Sequence, residues 1–184
     1  MALCSDPKMV RSFLIWIIAT AALANASAVH AQPDMRAARK FVVQFYNWYP
    51  YLASEDGPTP AWRCAVRKRA NIFSDRLNYL LDRDFSEQDK CDDLIGLDFD
   101  PFLNTQDPAP HYEVGRIKFT RNGTYFADVY GIQAGIRRSK PDVDAVFRKK
   151  NAQWQFIDFF YQNGGKLSVM LSSSKPPCSV PRKK

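Results

Sequence analysis

Asp158 is a carboxylate set among rings: it interrupts Trp154, Phe156 and Phe160 along one run of residues. Desolvation in such company raises the pKa of an acid, which is how a general base is made. The favoured role is plainer, a pair with a nearby arginine or a cap on backbone amides, because structural pairs perturb acids as well. Tyr161 ends the same run and is a second ionisable candidate. His111, beside Pro110 at the start of a strand pattern, reads as a surface or loop-anchoring histidine rather than a base. Catalytic candidates are thus Asp158, His111 and Tyr161. A Gly-rich phosphate loop, a nucleophile elbow and a supported Cys–His pair are all missing from the sequence.

The second cluster of chemistry-bearing residues is Asp98, Asp100, Asn104 and Asp107, within Gly96–Asp107. Its spacing invites comparison with a calcium loop. An EF-hand needs a third oxygen ligand two residues after Asp100, then glycine, then a glutamate at its twelfth place. Phe102, Leu103 and Ala109 stand there instead. No zinc spacing joins the cysteines and histidines either, so no metal and no cofactor are expected. Pro101 biases Asp100 toward extended geometry and excludes a regular helix across it. Leu97, Phe99, Phe102 and Leu103 need burial, whereas unpaired acids resist it. A wrapped loop that turns its rings inward and caps its turns with Asp and Asn meets both demands.

The elements that must position these residues change character at that loop. Before it, Pro33 to Leu52 carries a helical stripe from Ala38 to Leu52, with Asp34 as N-cap. A second helix, capped by Thr59 with Pro60 at its first position, runs on through Trp62, Val66, Ile72, Phe73, Leu77 and Leu81 with a kink near Arg69. Ser86 to Leu94 forms a short acidic turn. After the loop the period is two. Tyr112–Thr120 and Thr124–Gln133 flank Asn122-Gly123, a strong hairpin signal. Val143–Lys150 and Gln153–Tyr161 flank Asn151-Ala152. A short terminal helix or strand follows Gly164-Gly165. The expected class is α+β, helices packed on a curved antiparallel sheet of about four strands.

The chain has 184 residues, 46% of them apolar and 14% aromatic, enough for one packed domain. Lys8 and Arg11, the apolar run Phe13–Leu23 and Ala28-Val29-His30-Ala31 spell a secretory signal over residues 1–31. Residues 32–171 then form the domain and 172–184 a flexible basic tail. Loss of Lys8, Arg11 and Asp6 lowers the formal charge from +7 to +6. The apolar run is short for a membrane span, so no stable anchor is expected. The basic clusters read as solvated faces; no nucleic-acid reader motif accompanies them. An oxidising compartment favours pairing of cysteines. Cys64 and Cys91 lie in segments that read as ordered, so they are paired here, closing a loop worth about 3–4 kcal/mol. Cys178 is left free or bridging two chains, which keeps a homodimer open.

Phe45-Tyr46-Asn47-Trp48-Tyr49, the central Asp98–Asp107 run and Trp154–Tyr161 with Gly164, Gly165 and Leu167 resemble the domain of unknown function 3828 family, over most of Met35–Leu171. That family is similar in architecture to the nuclear transport factor 2-like cone, with helices in the concavity of a curved sheet. The resemblance implies a cavity between sheet and helices, with the central run on its rim, and no established activity. Binding candidates are then Asp98, Asp100, Phe102, Asp107 and Trp154. Two functions follow. One is an exported module that binds an unknown small ligand or protein partner. The other is a cofactor-free isomerase, dehydratase or hydrolase with a carboxylate in the cavity. The module is preferred.

Overall fold

The computed structural model describes residues 34–54, 59–90 and 96–173. The expected signal peptide, Cys91, Cys178 and most of the tail lie outside the described residues, so neither the leader nor the disulfide is visible. Cys64 itself is half-buried.

The helical half begins where its sequence says. Asp34 caps α1 (Met35–Ala53), its carboxylate accepting from the Ala37 amide at 3.0 Å. The stripe Ala38, Val42, Phe45, Tyr46, Tyr49 and Leu52 is buried. The expected single second helix is two. Pro60 is the N-cap, with extended ψ, of α2 (Ala61–Lys68), which ends at Arg69 with φ −138° and ψ 45°. A 3₁₀ turn, Ala70–Ile72, leads into extended Phe73. Ser74 then caps α3 (Asp75–Gln88) by accepting from the Leu77 amide. The break has a tertiary cause: Phe73 bridges Phe156 and the Ser74 amide donates to the Phe156 carbonyl at 2.8 Å. A continuous helix could not offer those backbone groups. The acidic segment from Ser86 continues α3 to Gln88 rather than forming a separate turn.

The strand half is a five-stranded antiparallel sheet: β1 (His111–Phe119), β2 (Thr124–Gln133), β3 (Ile136–Arg137), β4 (Val143–Lys150) and β5 (Gln153–Tyr161). The order is β1-β2-β4-β5, with β3 paired to the end of β2. Ala134 and Gly135, both with positive φ, make the extra two-residue hairpin that adds β3. Asn151 and Ala152 turn β4 into β5 the same way, at φ 49° and 65°. α4 (Leu167–Ser172) closes the described chain as a helix. The class is α+β.

Two bulges shape the sheet. One falls between Val114 and Ile117 on β1, the other at Ile157 on β5, opposite the Val146–Phe147 step. A bulge bends its strand and re-aims side chains. Both edges are also blunted. Arg39 of α1 donates to the Val114 and Gly115 carbonyls on β1. Phe73 and Lys166 bridge β5. α1 lies across β1, while α3 packs on β5 and α4. No helix among the described residues is long and apolar enough to cross a membrane.

Candidate functional site

The space between helices and sheet, implied above as a cavity, is filled. Phe102 is 0% exposed and stacks on Phe73 at 5.1 Å. Phe159 lies at 4.9 Å and Tyr49 at 5.3 Å from the same ring. Phe41, Phe45, Phe147 and Phe156 continue the cluster toward Trp154, which meets Tyr125 edge-on at 5.0 Å. Trp154 and Phe102 therefore sit at different parts of one aromatic core.

The Gly96–Asp107 loop is locked to that core by tyrosines. Tyr46 donates to the Phe102 carbonyl at 3.0 Å and Tyr161 to the Pro101 carbonyl at 2.9 Å. Tyr49 donates to the Asp100 carboxylate. The other Asp100 oxygen accepts from the Phe102 and Leu103 amides at 2.9 and 3.1 Å. Asn104 takes positive φ and its amide side chain donates to the Asp142 carbonyl at 3.0 Å. Burial pushes the Asp100 carboxyl up to about 6, against the downward pull of its three donors. The Tyr46 and Tyr49 phenols are pushed well up by burial and then by the Asp100 charge. Tyr161 is raised by burial and by the charges of Asp158 and Asp100. Tyr161 thus stands as a clamp on the loop.

Asp98 and Asp107 are exposed; Asp98 borders the same recess as Asp100, whereas Asp107 does not line it. A recess of about 470 Å³ lies over Asp100, walled by Trp62, Leu97, Phe99, Gln106 and Pro108. His111, exposed, borders a separate recess of about 390 Å³ with Tyr46, Tyr51 and Pro110. The described residues hold no group of three or more side chains able to hold a metal ion.

Asp158 faces away from Trp154 and Phe156 and shares its face with Phe160 alone of its expected company. The bulge puts Ile157 and Asp158 out of step with Phe156, so Phe156, Phe159 and Tyr161 are buried inside while Phe160 joins the outer face. Asp158 accepts from the Phe159 and Ser168 amides, both at 2.9 Å, and from the Ser168 hydroxyl at 2.6 Å. It ties the start of α4 to the sheet. Around it opens a groove of about 550 Å³, floored by Phe126, Val146, Ile157 and Phe160 and bordered by Ser74, Arg76, Arg148 and Ser168. Phe126 and Phe160 meet edge-on at 5.7 Å.

Beyond that pair, Asp128 and Asp144 stand directly opposite on β2 and β4. Arg116 and Lys118 sit 3.6 and 3.7 Å from Asp128. Asp144 is raised by burial and then by the Asp128 charge. Asp158 and Phe160 apart, the groove residues escaped sequence reading because they come from elements distant along the chain. The available signal was Thr124, Phe126 and Asp128, which alternation puts on one face of β2. No family model, curated protein or solved structure matches the chain.

Proposed function

We propose that the protein is a small exported binding module whose binding face is the outer side of its sheet. The observation that carries this reading is the filled interior: among the described residues, rings from α1, the loop and β5 pack the centre of the space between helices and sheet. The outer groove is concave and apolar and lies on the open face of the sheet. The exported setting rests on the leader sequence; the resemblance to the domain of unknown function 3828 family implies no established activity and bears on the fold alone.

A second reading has one observation in its favour. Asp100, raised to about 6, lies beneath a recess with Tyr49 on it, a pairing suited to proton transfer. Its oxygens are spent on Tyr49 and two amides, which makes the structural role the stronger one. The separating experiment is a ligand and substrate screen on the mature chain, followed by amide NMR. Binding without turnover, with shifts at Phe126, Ile157 and Phe160, is the expected outcome. Turnover abolished by Asp100→Asn, or ligand shifts confined to the loop recess, overturns the module reading. Sequencing protein recovered from outside the cytoplasm checks the export proposal, Gln32 being the expected first residue.

A further inference from the structure

We infer that the outer groove takes a small amphiphilic carboxylate, its head held by Arg76 and Arg148 and its apolar body laid along Phe126 and Phe160. This rests on the outer face being the binding face. Three observations point to that occupant.

The first is shape. The Ile157 bulge aims two consecutive residues outward, and the starts of α3 and α4, both set against β5, supply Asp75, Arg76 and Ser168 to the groove's border. The resulting concavity of about 550 Å³ falls in the range that small ligands fill, roughly 300–1,000 Å³. A bilayer presents no projection to enter it.

The second is the floor. Val146 is 3% exposed, and the Phe126–Phe160 pair leaves part of each ring open to solvent. Half-exposed rings on a sheet face gain by being covered with an apolar body.

The third is charge complementarity. Arg76, Arg148 and Lys150 border the groove together with Asp75 and Asp158, leaving one unit of positive charge. Lys150 is spent on Asp75 at 3.1 Å, and Asp158 on Ser168 and the Phe159 amide. Arg76 and Arg148 have no ion-pair partner among the described residues. Guanidinium groups bind carboxylates through two parallel hydrogen bonds. A monoanion matches the net charge. A dianion would exceed that net charge, and a cation would meet both arginines.

The test is titration of the mature chain with octanoate, octanol, octylammonium and acetate, read by amide NMR, with anionic phosphatidylglycerol vesicles in parallel. Octanoate is expected to shift Ile157, Phe160 and their neighbours, with octanol, octylammonium and acetate binding at least about tenfold more weakly. The double substitution Arg76→Gln/Arg148→Gln should weaken octanoate about tenfold or more and leave the melting curve in place. Undiminished binding by that variant, equal binding of octanol or acetate, or capture by vesicles without monomer binding each overturns the inference. If octanoate is silent while another ligand shifts the outer face, the carboxylate assignment fails and the module reading stands. Ligand binding confined to the loop recess removes both.

Discussion

On one face of the sheet Tyr125, Phe147, Phe156 and Phe159 meet α1 and the central loop; on the other, Phe126, Val146, Asp158 and Phe160 line an open groove. Both faces are aromatic, and both hold a hydrogen-bonded aspartate. They differ in what covers them. Inside, Asp100 pays for its burial with a raised pKa and three donors, and the loop around it is fixed by three phenols. Outside, Asp158 is only half-buried and holds one short helix in place. A carboxylate at the centre of a packed core stabilises geometry. An equally well bonded one at a groove's edge leaves open surface beside it for a partner.

Truncating one ring on each face is the most severe test of that difference. Phe102→Ala should cost about 3–5 kcal/mol, because the ring is fully buried against Phe73, Phe159 and Tyr49. Phe160→Ala, on a half-exposed ring, should cost about 1–2 kcal/mol. Chemical denaturation of both variants decides it; equal losses would mean that the outer face is as much a core as the inner one.

Next in size is the pH dependence of the inner carboxylate. Asp100 titrates near 6 in the fold and near 3.8 unfolded, so the folded state binds more protons between those values. Stability is therefore fully present below about pH 4 and falls as pH rises through 6, by about 3 kcal/mol in all. Asp144, also raised, adds in the same direction. Denaturation from pH 4 to 7 should show this decline, and Asp100→Asn should flatten most of it. A wild-type profile that rises with pH across the window would show that Asp100 is not desolvated as described.

The smallest effect belongs to the outer aspartate. Asp158→Asn keeps one acceptor for Ser168 and should cost about 1 kcal/mol, the scale of a lost helix cap. The loss should appear as faster amide exchange confined to α4. A loss above about 3 kcal/mol, the scale of a broken buried ion pair, would move Asp158 into the inner class.

The sequence by itself determined the class and most of the elements. Asp34 and its stripe set α1, Asn122-Gly123 set the first hairpin, and Pro101 kept the central run out of a helix, because each acts through local backbone preference. It also identified the central run as a wrapped loop, since apolar residues interleaved with acids admit few solutions. Tertiary structure alone decided where helix gives way to strand cover at Phe73, because the bond that ends the helix comes from Phe156, far along the chain. It alone decided that the interior is full, which depends on ring volumes meeting in space. And it alone turned Asp158 outward. A bulge adds one residue to one strand, a choice made by the pairing of β5 with β4, while alternation read from one strand assumes that no residue is added.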